Sequence, residues 1–333
     1  MATKPIVAGV DGSEESLQAA EWAAMEARRH SVPLRIVSAP ATLPRMHAYH
    51  APESAVANAL RAVSSRALEA ARTRSEEVAP GLSVTTSLLS GPPALVVAES
   101  GSDGSVLVVG PRGSGGFAAM VLGSVSRYVA AHARCPVVVV RQHSMAVHRE
   151  IAVGIRDPQD TADTLEFAFS EAALRGADLT AVHAWSWFPS ALHVPAEGEV
   201  QELRPADHEH ISAQAASHLT AALRRWRDKY PDVRVRQDVI HGHPARVLAS
   251  YSARVDLIVL GRHRGPGGAS PGIASVQHAV LDHARGPVAV VPSAWSGETA
   301  SVWTFDPSAS VWTFAPSASL EEFRQSGLLK EML

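Results

Sequence analysis

Short apolar runs, rich in β-branched residues, recur along the first half of the chain: PIVAGV (5–10), LRIVS (34–38), LSVTTSL (82–88), SVLVV (105–109) and PVVVVR (136–141). The stretches between them carry apolar residues at helical spacing, over about 13–30, 54–78, 92–101 and 123–133. Strands alternating with helices at this interval predict an α/β fold with a parallel sheet and helices on both faces. Uninterrupted runs such as VLVV and VVVV suit strands buried on both sides, where no polar face is needed.

The pattern is written twice. HARCPVVVV (132–140) returns as HARGPVAVV (283–291), SVLVVG (105–110) as DLIVLG (256–261), and SGPPALVVAES (90–100) as HGHPARVLASY (241–251), all at an offset of 151 residues. At the front, IVAGVDGSEESLQAAEWAAMEA pairs with IAVGIRDPQDTADTLEFAFSEA at an offset of 145. Two like domains are therefore expected, at 1–143 and 149–294, each with a five-stranded parallel sheet, followed by a separate tail at 295–333.

Composition narrows the function classes. With 333 residues and 46% hydrophobic content, the chain has material for two full cores. A net charge of −3 and scattered arginines exclude a generally basic nucleic-acid binder. The one cysteine, Cys135, precedes Pro136 and a valine run, which reads as a buried, inert thiol and is compatible with a reducing compartment. No apolar run reaches membrane-spanning length and no export-type leader is legible, so a cytoplasmic location is expected.

The candidate chemistry sits in GPRGSGGFAAMVLGSVS, Gly110 to Ser126, between a buried strand and a helix. In a doubly wound sheet this loop opens at the carboxyl edge of the strands, where ligands bind, and so does Asp11 after the first strand. Glycines admit close approach to the main chain, and unpaired N–H groups at a helix start attract anions. The loop is neither a Walker-type loop, since no Gly-Lys-Ser/Thr follows, nor a dinucleotide fingerprint, since residue 118 is Ala. By itself a glycine-rich stretch between strand and helix is more often a plain turn than a phosphate cradle. Ser124 reads as ligand donor or helix cap, and Asp11 or Ser13 as the cap of the first helix.

Gly110, Gly113 and Gly123-Ser124, with two and nine residues between them, resemble the nucleotide loop of the ATP-binding universal stress proteins. IVAGVDGS, SGPPALVV and GSVSRYVAAHARCPVVVVR are similar to that family too, and the likeness extends over 1–294 as a tandem pair. The resemblance implies an adenine-nucleotide-binding, flavodoxin-like topology. It also implies that Asp11 contacts the ribose and adenine side, with Gly9 and Val10 lining the base and main chain at Ala39 reading the adenine edge. Gly110 and Gly113 would wrap the phosphates with Arg112 as a charged donor, while Gly123, Ser124, Val125 and Ser126 supply backbone and hydroxyl donors. ATP, accompanied by Mg²⁺, is the implied ligand. In the family, domains pair through their last strands, so Val137–Val140 and Val288–Val291 are expected to meet as a pseudo-dimer within the chain, with homodimerisation a further step.

The second half departs from this pattern. Gly113, Gly123, Ser124 and Ser126 become Arg264, Ala274, Ser275 and Gln277, and Asp11 becomes Arg156, with Asp157 one position late. A structural partner domain, or one binding a different anion, is expected there in preference to a second equivalent ATP site. Sixteen histidines, among them His47, His50, His208, His210, His241, His243 and His263, show no HExxH or Cys/His spacing, so no metal site is expected. No nucleophile–base order is legible either, and the expected function is a nucleotide-responsive stress regulator or survival factor with at most weak ATP hydrolysis. The readings set against it are a slow ATP hydrolase or adenylyl-type enzyme, and a nucleotide-free scaffold. The tail repeats VWTFDPSAS as VWTFAPSAS (302–310 and 311–319), which predicts extended segments with turns, and Ser319 with Glu322 has capping-box spacing. A protein partner docking on this tail is one role it could serve.

Overall fold

The computed structural model describes residues 4–40, 53–101, 106–113, 122–141, 147–156, 162–186, 205–262, 271–293, 302–306 and 311–315. In the first repeat the order is β1 (Ile6–Gly9), α1 (Glu14–His30), β2 (Leu34–Ser38), α2 (Glu53–Val78), β3 (Val84–Leu88), α3 (Pro93–Ser100), β4 (Val106–Val109), α4 (Ser124–His132) and β5 (Val137–Val139). The second repeats it with β6 (Glu150–Gly154), α5 (Ala162–Arg175), β7 (Asp178–Trp185), α6 (Pro205–Lys229), β8 (Val235–His241), α7 (Pro244–Tyr251), β9 (Leu257–Arg262), α8 (Pro271–His283) and β10 (Val288–Pro292).

Each repeat is a parallel sheet, and the two join into one ten-stranded sheet, β3-β2-β1-β4-β5-β10-β9-β6-β7-β8. The seam is the one antiparallel pairing of that sheet, Val139 against Val288, Val138 against Ala289 and Val137 against Val290. The last strands meet as the family resemblance implied, and each repeat covers the other's exposed edge. Strand residues alternate between two layers: Ile6, Ala8, Ile151 and Val153 face α1, α2, α5 and α6, while Val7, Ala152, Val137 and Val290 face α3, α4, α7 and α8. Both apolar layers run unbroken across the seam. Met1–Trp295 is accordingly one compact unit.

The helix facing the seam is built from small residues. Ala19, Ala20, Ala23, Ala24 and Ala27 of α1 are all fully buried, which lets the helix lie close on the sheet. Ser13 caps its start through the Ser16 N–H, Glu14 and Glu15 occupy the first turn, and Arg28, Arg29 and His30 the last, as the helix dipole favours. Its end is a left-handed residue, Ser31 at φ 55°, and the counterpart in the second repeat is Gly176 at φ 58°.

Where α1 meets α5, charge is buried. Glu26 and Glu171 are each 2% exposed, and they occupy equivalent positions of the two repeats, as do His30 and Arg175. His30 Nε2 lies 3.1 Å from Glu26 and 3.0 Å from Glu171. Arg175 binds Glu26 at 2.8 Å and pairs closely with Glu171, and Arg29 adds a contact of 2.5 Å to Glu26. Burial by itself would lower the imidazole pKa, but hydrogen bonds to Glu171 and Glu26 prevail and raise it to about 9. Burial likewise pushes Glu171 up, and Arg175 and His30 overcome it, bringing the carboxyl down to about 2.

Arginines tie the opposite helix layer across the seam. Arg262, 8% exposed, donates to the carbonyls of Ala130 (3.1 Å) and Ala133 (2.5 Å) at the end of α4. Arg141 donates to the carbonyl of Leu281 in α8, the residue equivalent to Ala130. Each satisfies carbonyls that a helix end leaves without a partner.

Ser296–Leu333 forms a separate unit containing the hairpin of β11 (Val302–Asp306) and β12 (Val311–Ala315), paired antiparallel with Trp303 opposite Phe314 and Phe305 opposite Trp312. The duplicated VWTF segments are thus the two strands of one hairpin. The capping-box segment at 319–322 lies outside the described residues.

Two stability experiments follow from the charged cluster. Arg175→Ala leaves Glu171 with His30 as its one cationic contact among the described residues and Glu26 with His30 and the partly exposed Arg29, and is expected to lower unfolding free energy by about 3–5 kcal/mol in urea titration, far more than the exposed Arg72→Ala. His30 is held above its ordinary 6.5, so its contribution is complete below that pH and is lost as pH rises through about 9. Glu171 is held below its ordinary 4.5, so its contribution is present above that pH and is lost as pH falls toward about 2. Melting temperature is expected to peak between pH 4.5 and 6.5 and to fall on the alkaline side, a decline that His30→Gln flattens.

Candidate functional site

The strand order reverses between β1 and β4: the chain leaves β1 toward β2 on one side and leaves β4 toward β5 on the other. The loops at these strand ends diverge and open a crevice, the ordinary ligand position of a doubly wound sheet. Gly9 ends β1, where a Cβ would fall 2.9 Å from Val97 and 3.3 Å from Val109. Val10 donates its N–H to Val37 and is 5% exposed, its side chain belonging to the core, so it presents only backbone to the crevice. Ala39 follows directly on β2. Beside it, the Ser38 hydroxyl is buried with no partner among the described residues, a polar atom that sequence reading missed.

Asp11 organises the loop. Its Oδ1 accepts from the Ser13 N–H at 3.1 Å and from the Ser13 hydroxyl at 2.7 Å, and Ser13 in turn caps α1. Gly12, at φ 87°, makes that turn. Ser13 is therefore the cap and Asp11 holds it, which settles the choice between them. The other carboxylate oxygen of Asp11 lies where any Cβ on Gly113 would have to go. At Gly110 a Cβ would come within 2.9 Å of the Glu15 carbonyl. Gly110 is thus required by close backbone approach between the β4 loop and the start of α1, while a side chain at Gly113 would have to displace the Asp11 carboxylate.

The Pro111 carbonyl accepts the Gly123 N–H at 2.7 Å, which brings the two ends of the glycine-rich stretch together. Gly123 is the N-cap of α4 and supplies no side-chain hydrogen bond. Ser124 is the first helical residue, not the cap. The N–H groups of Ser124, Val125 and Ser126 form the first turn, whose donors have no carbonyl one turn back to bond within the helix. The Ser126 hydroxyl corrects an expectation: it is buried and donates to the Gly110 carbonyl at 2.6 Å, so it braces the loop, and what Ser126 offers a ligand is its backbone. Arg112 lies 3.7 Å from Glu15 across a half-exposed surface, a weak pairing. The segment between 114 and 121 lies outside the described residues.

The second repeat keeps the frame and changes the contents. Ile155 donates to Val182 as Val10 does to Val37, and the Gln277 amide bonds the Gly261 carbonyl at 2.5 Å in place of the Ser126 hydroxyl on Gly110. But Ser275, the counterpart of Ser124, is not at a helix start. α8 opens at Pro271, four residues or about one turn earlier. The N–H groups at Ser275, Val276 and Gln277 thus fall inside the helix, where they bond carbonyls one turn back. At the Ser38 position stands His183, whose Nδ1 lies 3.0 Å from the Ile155 carbonyl, and two residues along β7 the Trp185 ring meets that of His241 at a tilt of 45°, centroids 4.6 Å apart. Arg156 replaces Asp11 and is exposed. His47, His50, Asp157, His263 and Arg264 lie outside the described residues.

Two other chemical candidates resolve plainly. Burial pushes the Cys135 thiol up to about 12, so it is protonated at neutral pH. Glu26, His30 and Glu171 have ligand atoms within 4.8 Å of one another, a proximity that sequence spacing did not reveal because it crosses the repeats. Arg175 already sits between both carboxylates as their cation. No helix among the described residues is long and apolar enough to cross a membrane.

The sequence pattern of the Universal stress protein family matches residues 2–141 and again 148–292. The universal stress proteins Rv2005c and Rv2623 of Mycobacterium tuberculosis are 34% and 30% identical over 304 residues, which is 86% of this chain and 96% and 95% of theirs. A universal stress protein from Archaeoglobus fulgidus, 16% identical, superposes over 87% of this chain and 96% of its own with a TM-score of 0.61, a likeness of fold. A strand order that reverses between β1 and β4, written twice and sealed at β5 and β10, is thus met by relatives alike over almost their whole length: the chain belongs to the universal stress protein family, with two of its domains in tandem.

Proposed function

We propose that the first repeat binds an adenine nucleotide, ATP with Mg²⁺, and that the protein works as a cytoplasmic, nucleotide-responsive regulator of the stress response. The observation that carries this reading is the start of α4: a helix end capped by glycine alone, folded back on Gly110–Gly113 at the switch point. Such a turn of open N–H groups is an anion site, and Arg112 stands at the same loop to add charge-assisted bonds. Asp11 and the backbone at Gly9, Val10 and Ala39, which follow or end β1 and β2, would contact the nucleoside. Mg²⁺ would be held mainly by phosphate oxygens and water and would neutralise the triphosphate. Among the described residues at the loop, the Asp11 carboxylate is taken by Ser13 and Glu15 lies 3.7 Å from Arg112, so neither stands out as a base for activating a water. The second repeat, with α8 extended over the equivalent positions, acts as the pairing partner.

Titration of Mg-ATP into nucleotide-stripped protein by calorimetry is expected to give one site per chain. Gly113→Asp drives a side chain into Asp11 and adds a second negative charge, and should abolish binding while far-UV circular dichroism stays unchanged. Two sites per chain would overturn the reading of α8, and none would overturn nucleotide binding altogether. Phosphate release under multiple turnover is expected to remain at background, and sustained release dependent on Arg112 would favour an enzyme instead.

A further inference from the structure

Arg112 belongs to two places at once. It stands in the β4 loop, and it also lines a cleft of about 500 Å³ between the repeats, which the predicted phosphate positions of α4 do not line. The first repeat contributes the start of α1 with Glu15, the β4 loop with Arg112, and Arg141 after β5. The second repeat contributes the end of α8, with Asp282 and His283, and Arg285 in the segment before β10. The antiparallel seam makes this meeting possible, because it sets the end of β5 beside the beginning of β10.

Two atoms on opposite walls are buried without a partner among the described residues: Arg112 Nε, a donor, and Asp282 Oδ1, an acceptor. Burying a polar atom unpaired is unfavourable unless a ligand or water meets it. The charges around them are accounted for unevenly. Glu14 is neutralised by Arg74 through contacts of 2.7 and 2.8 Å, and Glu15 holds Arg112 only at 3.7 Å. Arg141 reaches the Leu281 carbonyl and feels the charge of Asp282. Arg285 is exposed, and its backbone N–H, not its side chain, makes the bond to Ser252 that holds the segment in place.

A lining of arginines interleaved with carboxylates suits a hydrated magnesium–phosphate group better than a bare anion. Guanidinium groups donate to phosphate oxygens, and carboxylates accept from metal-bound water. We propose that the second repeat completes the first repeat's nucleotide site: Arg285, with Arg112 and Arg141, receives the terminal phosphates of a magnesium-bound nucleoside triphosphate in the inter-repeat cleft, and Asp282 accepts from its metal-bound water. This rests on the nucleotide reading above and adds that the cleft measures the length of the phosphate chain. It gives the second repeat a part in binding although its own α8 begins a turn early, and it confines that part to the end of the ligand that distinguishes ATP from AMP.

The test is calorimetric titration of ATP and AMP, each with Mg²⁺, into the full chain and into Arg285→Ala and Arg285→Glu. Arg285 is exposed, so both variants are expected to keep the wild-type melting temperature. Loss of one charge-assisted bond should weaken ATP about tenfold in Arg285→Ala and more in Arg285→Glu, with AMP affinity unchanged and Arg285→Lys restoring most of the loss. ATP affinity unchanged in both variants, while Gly113→Asp still abolishes it, would overturn the cleft and leave the nucleotide site standing. Equal weakening of ATP and AMP would also overturn it, since the cleft would then not read the terminal phosphates. Failure of the wild-type chain to bind either nucleotide would overturn both proposals together.

Discussion

The antiparallel pairing of β5 with β10 is the constraint from which the rest of the molecule follows. Two parallel sheets, each ending in a valine strand with an open edge, become one sheet when those edges hydrogen-bond. Both helix layers must then continue across the seam, so α1 and α5 come face to face on one side and, on the other, the ends of α4 and α8 each accept from an arginine of the opposite repeat, Arg262 at the end of β9 and Arg141 after β5. Because the repeats are related by a local two-fold, equivalent residues approach each other there. Glu26 meets Glu171, a buried like-charge pair that two identical repeats would leave to be balanced by two identical cations. Here His30 and Arg175 take those places, and the cluster is asymmetric at the centre of a nearly symmetric object. Apolar residues could fill the same volume at little loss of stability, but removing one member strands the others in a medium of low dielectric.

The same doubling leaves one repeat free to diverge. Both keep the strand-end hydrogen bond at Val10 and Ile155 and the brace on the β4 or β9 carbonyl, by Ser126 in one and Gln277 in the other. These bonds hold the frame. What differs is where the following helix starts. A shift of one turn converts a row of open N–H donors into ordinary helix interior, and no side-chain substitution is needed to account for the change. Arg262 illustrates the same trade: the position equivalent to Pro111 of the β4 loop carries a guanidinium that caps α4.

Most of the fold was legible from one sequence because its signals are local. Buried parallel strands are short apolar runs, the helices between them are long and amphipathic, and two offsets of 151 and 145 residues reveal the repeat. The Gly110–Gly113 and Gly123–Ser124 spacing marks the β4 loop and the start of α4, and at Gly110 the close backbone approach of Glu15 leaves no room for a side chain. Side-chain roles within that loop were less legible. The Ser126 hydroxyl reads as a ligand donor in sequence, yet it is committed to a carbonyl sixteen residues earlier in the chain.

The sequence by itself determined the strands, the helices, the doubling and the glycine positions, all of which depend on periodicity and on backbone sterics within a few residues. Only the tertiary structure decided which distant groups share an environment. Glu26 and Glu171 stand 145 residues apart, and Arg112 and Arg285 come from different repeats. Whether such residues form an ion cluster, a cap or a cleft depends on the seam that brings them together, and neither repeat alone carries a pattern that announces it.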